Sequence, residues 1–305
     1  MSFTGVIVLA LLGVLASVED AKAKVRVAAT TGTLAAIAGE VGGELVEVTA
    51  LSAPTEDSHY VDARPNLVLT LNHADLLVAT GLELEVGWLP NLQKSARNPE
   101  IGPGGRGYYE AHTALSHLAD VATGRVDRAQ GDIHAGGNPH YLYDPRAGAE
   151  VAIGLGTKLA ELDPANAATY VTRAQSVAAK YRAVGETQRA RFGALPAEKR
   201  RVVSYHASWP YLLDWLALEQ VETVEPKPGI APSPAHVAAV LQRMRATGAK
   251  AVLQEEFYPR GTSEKLSSLA GAKLVVVPGA VRFGTQTYPE FVGQIAEALH
   301  AALGG

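Results

Sequence analysis

Three histidines stand far apart in the chain, each in a setting that would hold a side chain still: His59 in EDSHYVDARP, His140 in GNPHYLYDP and His206 in VSYHASWPYLLDW. Each lies at or near a predicted boundary between elements and is followed closely by proline, aromatic residues or both. Imidazole is the commonest protein ligand for a transition metal. A structural zinc motif clusters its ligands locally, so three imidazoles from distant segments point to one site assembled by the fold. Spacing alone does not establish that site. His134, in GDIHAGGNPH, occupies a glycine-flanked loop beside Asp132. His73, His112, His117, His236 and His300 have no ligand-like setting and read as ordinary helix or surface residues.

The elements that must position these residues alternate between strand and helix from Lys24 onward. VRVAAT reads as a strand, TLAAIAGEVGG as a helix closed by two glycines, and VEVTAL as a strand leading into the loop of His59. RPNLVLTLNHADLLVATG gives a short helix and then a buried strand. Such order implies a mostly parallel sheet flanked by helices, with ligands at the carboxyl ends of its strands. Residues 98–108 and 131–139 are glycine- and proline-rich and read as irregular rim loops. Asp144-Pro145 opens a helix over roughly 146–161, with Asp144 as its cap rather than a ligand. Tyr141 and Trp209 read as scaffold near the site.

Asp163-Pro164 opens the longest helix, proline-free from Ala165 to about Ala194, with apolar or aromatic residues at helical spacing from Tyr170 to Val184. At 1.5 Å per residue it reaches about 45 Å, long enough to join two lobes as a rigid strut that resists wide hinge closure. A second alternating set follows: RRVVSYH, PYLLDWLAL, VETVEP, a helix begun by Ser233-Pro234, AKAVLQEE, TSEKLSSLAG, KLVVVPG and a C-terminal helix from YPEF. The fold class is therefore α/β, two lobes each with a mostly parallel sheet flanked by helices, joined by one long helix. The boundaries read as 24–164, 165–195 and 196–305, and ligands from both halves place the site in the cleft.

The chain of 305 residues has room for two such lobes with substantial cores. A net charge of −4 and no basic stripe argue against nucleic-acid binding; RARFGALPAEKRR at 189–201 reads as a charged helix end. The absence of cysteine excludes disulfides, thiolate catalysis and a cysteine–zinc site. Val6 to Ala16 is an apolar run of eleven residues, too short to span a bilayer as a helix. With the small-x-small Ala21-Lys22-Ala23 after it, residues 1–23 read as a secretory leader, although MSFTG carries no Lys or Arg.

His59-x5-Pro65, the NPHYLYDP box, and HASWPYLLDWLAL followed by EPKPGIAPSPAHVAAVLQRMRATGAKAVLQEE together resemble the zinc/manganese solute-binding proteins of ABC importers, the TroA-like cluster that includes the zinc-uptake proteins. The similarity runs from VRVAATT to the C-terminal helix. It implies a periplasmic, monomeric protein that holds a metal between its lobes and hands it to a membrane permease. His59, His140 and His206 match the family's first three ligand positions. Manganese-type members have a carboxylate at the third; His206 there makes a three-nitrogen set that favours Zn2+ over the oxygen-preferring Mn2+.

The fourth position departs from the pattern. Relatives place an aspartate after the last strand, where this chain has VVVPGAV with Pro278, or a glutamate before the first histidine, where it has Ser58. Three neutral imidazoles leave the +2 charge of the metal uncompensated. Glu255, Glu256, Asp57, Glu56 or a water could complete the shell; Glu255 is the preferred reading, with Glu256 or water as its replacements. The resemblance also casts the His134 loop as a minimal form of the histidine-rich acidic loop of zinc-type relatives. Two other classes fit less. A zinc hydrolase would use three histidines and an open position with Glu255 or Glu256 as base, yet no HExxH or GxSxG is present. An adhesion protein on the same scaffold would bind partners without metal.

Overall fold

The β-rich runs pair into two sheets of identical plan. The computed structural model describes residues 23–120, 134–227 and 229–305. In it β1 (Val25–Ala29), β2 (Val46–Ala50), β3 (Leu76–Ala79) and β4 (Tyr108–Glu110) form a sheet of order β2-β1-β3-β4. Strands β5 (Arg201–Ser204), β6 (Glu219–Thr223), β7 (Ala251–Glu255) and β8 (Lys273–Val277) repeat that order as β6-β5-β7-β8. Every one of these pairings is parallel. Parallel neighbours need a crossover between them. Helices α1 (Gly32–Gly42), α2 (Pro65–His73) and α3 (Leu89–Ala96) supply it in the first lobe. Helices α6 (Pro210–Leu216), α7 (Pro234–Thr247) and α8 (Gly261–Ala270) supply it in the second. β3 and β7, inner strands covered on both faces, are buried at every position.

Between the lobes run α4 (Pro145–Leu162) and α5 (Ala167–Gly193), packed along each other. Asp144 caps α4 by accepting from Arg146 N–H, with Pro145 in the first turn, as its sequence predicts. A Cβ at Gly156 would collide with that of Ala174, so glycine lets the two helices approach. α5 has 27 residues, about 40 Å, and links the lobes. Its start differs from expectation. Pro164–Asn166 is a 3₁₀ turn and α5 begins at Ala167, while the Asp163 carboxylate accepts from Asn166 Nδ2 and Tyr170 Oη.

α9 (Tyr288–Ala302), opened by a Thr287/Glu290 capping box, packs on α5 and α1. One continuous core includes α1, α4, α5, α6 and α9, with Tyr170, Tyr181, Phe192, Trp215 and Tyr288 fully buried in it. Separate smaller cores lie beneath α2 and α3 in one lobe and beneath α7 and α8 in the other. Two elements were not anticipated, α3 and β4. One is eight residues, half of them polar, and the other a three-residue strand that begins at the last residue of the 98–108 segment read as loop, held by pairing to β3. Of the leader read over 1–23 only Ala23 is described, and residues 131–133 of the predicted rim loop also lie outside the described residues. No helix among those described is long and apolar enough to cross a membrane.

Candidate metal centre

The carboxyl ends of both sheets meet at the cleft. The loop after β2 delivers His59, the end of β5 delivers His206, and the segment before α4 delivers His140. Their ring centroids form a near-regular triangle: 5.3 Å for His59–His140, 5.5 Å for His140–His206 and 5.8 Å for His59–His206. One ring nitrogen from each lies within 4.8 Å of the other two. Nitrogens at 2.0–2.1 Å from a tetrahedral zinc stand about 3.3 Å apart, so the rings would close by at most about 1.5 Å.

Each ring is held from behind through Nδ1. His59 Nδ1 donates to Asp57 Oδ1 at 2.7 Å, and the same oxygen accepts His59 N–H at 3.0 Å. His140 repeats this turn with Asn138 Oδ1, at 2.9 Å from Nδ1 and 3.0 Å from the backbone nitrogen. The Asn138 amide is oriented in turn, because its Nδ2 donates to Ala207 O at 2.7 Å. His206 Nδ1 donates to Glu225 Oε2 at 2.7 Å, with both side chains buried. Parallel pairing explains that contact: Val224 N–H bonds Ser204 O and Glu225 N–H bonds Tyr205 O, carrying Glu225 alongside His206. With Nδ1 engaged on all three rings, Nε2 is left as the ligand atom. His59 Nε2 is buried and meets no hydrogen-bond partner among the described residues.

The electrostatics differ from ring to ring. Burial and the neighbouring histidines hold His140 well below the ordinary imidazole value. Burial also opposes charging of His206, but Glu225, Glu255 and Asp57 outweigh it and raise His206. Burial pushes Asp57 up, yet its bonds to His59 prevail and hold it below the usual carboxylate range.

Glu255, at the end of β7, lines the cleft with 1% of its surface exposed and one oxygen, Oε2, without a partner among the described residues. Burial pushes its carboxyl up to about 7. It stands outside the mutually close three-histidine set. Glu256 is engaged elsewhere, its carboxylate pairing with Arg282 at 3.1 Å. Gly279 and Ala280, just after Pro278, line the cleft, and this loop brings no carboxylate to it. Glu56 pairs with Arg64 at 3.4 Å. His134 does approach the site, its ring 5.5 Å from His59 and 6.5 Å from His140.

Sequence reasoning missed Glu225 and Asn138 and treated Asp57 only as a ligand candidate. A signal was present for two of them: Asp57-Ser58-His59 and Asn138-Pro139-His140 share an Asx residue two positions before the ligand. That is the spacing at which an Asx side chain bonds the backbone two residues on. Glu225 is brought to His206 by strand register and has no local signature.

Two α/β lobes joined by a long helix, with imidazoles from both converging in the cleft, define a two-lobed protein with a candidate metal centre. The family model described as "Zinc-uptake complex component A periplasmic" (ZnuA) matches residues 27–302, and the chain belongs to that family. Among curated relatives, the metal ABC transporter substrate-binding lipoprotein ScbA of Streptococcus cristatus is 26% identical over 200 residues, 64% of this chain and 60% of its own length. The chain thus spans about 60% of that relative's length. The manganese ABC transporter substrate-binding lipoprotein PsaA of Streptococcus pneumoniae is 23% identical over 235 residues, 76% of this chain and 72% of its own. A crystal structure of ZnuA superposes with a TM-score of 0.76 at 19% identity, covering 92% of this chain and 99% of that one, which shows the shared fold.

Proposed function

We propose that this protein binds one divalent transition metal ion, zinc in preference to manganese, outside the cytoplasmic membrane and delivers it to the membrane permease of an ABC importer. The observation that carries the reading is the triangle of His59, His140 and His206, each with Nδ1 bonded to an oxygen acceptor and Nε2 left for a metal. Three imidazole nitrogens suit zinc better than manganese, which prefers oxygen. Family membership supports a transport role over catalysis, the apolar run Val6–Ala16 followed by Ala21-Lys22-Ala23 supports export to the periplasm, and the protein acts there as a monomer. Glu255 completes the shell directly or through one water; its burial in the cleft and its unpartnered oxygen support that assignment, and Glu256, paired with Arg282, is set aside.

The test is metal analysis of the purified protein followed by competition titration with zinc and manganese. One zinc per chain is expected, bound more tightly than manganese, with each of His59→Ala, His140→Ala and His206→Ala greatly weakened. Preference for manganese, or full zinc affinity after loss of any one histidine, would sink the assignment. A zinc-bound structure with Glu255 further than one water from the metal would remove it from the shell.

A further inference from the structure

Glu85, in GLELEVGW, is a carboxylate with 3% of its surface exposed and no charged partner in its hydrogen bonds. It sits where the first sheet changes direction, between the carboxyl ends of β1 and β3. The equivalent crevice of the second sheet, between β5 and β7, is bordered by His206 and Glu255. Open α/β sheets keep such crevices for ligands. In this lobe a protein side chain fills it: Glu85 Oε1 accepts from Thr30 Oγ1 at 2.6 Å and Thr80 N–H at 2.7 Å, while Oε2 accepts from Gly81 N–H at 3.1 Å.

The backbone just before Glu85 is unusual. Gly81, Leu82 and Glu83 have φ of 80°, 53° and 66°, three left-handed residues in succession. Glycine takes that conformation freely, but leucine and glutamate do so at a cost and persist there only where their surroundings hold them. The hold comes from the Glu85 carboxylate at one end of the turn and from Leu84 N–H, which bonds Gly81 O.

Both ligand segments of this lobe bond residues that flank that turn and are held by Glu85: Thr80, whose N–H donates to its carboxylate, and Trp88, whose N–H donates to its carbonyl. Trp88 Nε1 donates to Ser58 O at 3.0 Å, fixing the residue before His59. Tyr141 Oη, beside His140, donates to Thr80 O at 2.8 Å. A side chain at Gly136 would press on Leu82, so the approach to His140 also runs against the turn. We infer that Glu85 is a positioning residue of the metal site: it pins the left-handed turn 81–83, and through it sets the spacing between His59 and His140. The inference rests on the reading of the three histidines as ligands.

Glutamine at 85 keeps an oxygen for Thr30 and Thr80 but turns an amide N–H toward Gly81 N–H, releasing the first residue of the turn. Thr30→Val removes the hydroxyl donor with little change in shape, and Thr30→Ser restores it. The experiment compares wild type, Glu85→Gln, Thr30→Val and Thr30→Ser by zinc competition titration and by the visible absorption of the Co2+-loaded protein, which reports ligand geometry. Glu85→Gln and Thr30→Val should lose about tenfold in zinc affinity, the lower end of the effect of removing an outer support. Both should also show displaced or weakened cobalt bands, and Thr30→Ser should match wild type in both measurements. Lower thermal stability with unchanged cobalt bands and affinity within twofold of wild type would overturn the inference, reducing Glu85 to a structural residue. If Glu85→Gln does not fold, Thr30→Val decides by the same criteria. Failure of wild type to bind zinc or cobalt would overturn the metal reading itself, and this inference with it.

Discussion

Glu225→Gln separates the two things that Glu225 does for His206. The 2.7 Å bond from His206 Nδ1 fixes the ring, and the amide oxygen of glutamine can still accept it, together with Gly229 N–H at 3.0 Å. What the variant loses is charge. A hydrogen bond to a charged group contributes about 1.5–3 kcal/mol against about 0.5–1.5 for a neutral pair, a difference of about 1–1.5 kcal/mol. Zinc affinity at pH 8 should therefore fall about tenfold. The pH dependence adds a second constraint. In the metal-free protein His206 is raised above the ordinary imidazole value, so protons compete with zinc at that ring as pH falls through the raised value. The variant competes less with protons, and its tenfold deficit should narrow at pH 6. Metal-free stability should show the reverse. A histidine raised on folding stabilises the fold below its unfolded pKa of about 6.5 and loses that contribution as pH rises through the folded value. The variant should thus melt below wild type by more at pH 6 than at pH 8. Chelator-competition titrations and thermal melts at the two pH values measure both gaps. Unchanged affinity at pH 8, or an affinity ratio that does not vary with pH, would refute this account of Glu225.

Zinc binding should also expel the proton that Glu255 holds up to about pH 7. Calorimetry in buffers of different ionisation enthalpy should show fewer protons released per zinc at pH 8 than at pH 6, and Glu255→Gln should lower the pH 6 count; an identical count in variant and wild type would contradict this. His134→Ala should slow loading or lower affinity modestly while leaving one zinc per chain, because its ring lies beside His59 yet outside the mutually close set. Stopped-flow loading rates equal to wild type, with unchanged affinity, would return His134 to an ordinary loop residue.

The fold was largely legible because its signals are local. Seven of the eight strands lie in runs read as strands from the sequence, four helices (α2, α4, α6 and α7) open at a proline, and His59 and His206 fall just past the ends of parallel strands. β4 was hidden because three residues pair only when β3 is beside them, and α5 lost its first turn because Asp163 accepts side-chain donors there. The convergence of the three histidines could be anticipated because each had a constrained setting in the chain. Their supports divided by origin: Asp57 and Asn138 carry a local spacing, while Glu225 and Glu85 depend on register and on the crevice between β1 and β3.

The absent aspartate at Pro278 makes the charge of the site the central physical question. Three neutral imidazoles around a dication would be poorly compensated in a buried cleft. On that ground the sequence called for a carboxylate ligand. The structure supplies negative charge by another route: Asp57, held below the usual carboxylate range, and Glu225 each grip a ligand ring at Nδ1, while Glu255 waits in the cleft wall. A carboxylate bonded to Nδ1 polarises the imidazole and raises its basicity toward metal, so compensation reaches the ion through the ring. The proposed site therefore does not require an aspartate after the last strand in order to bind tightly. In the proposed site one face of the ion would be left to Glu255 or water, and a position that the fold does not close with a fixed anion would suit a cargo that is to be handed on.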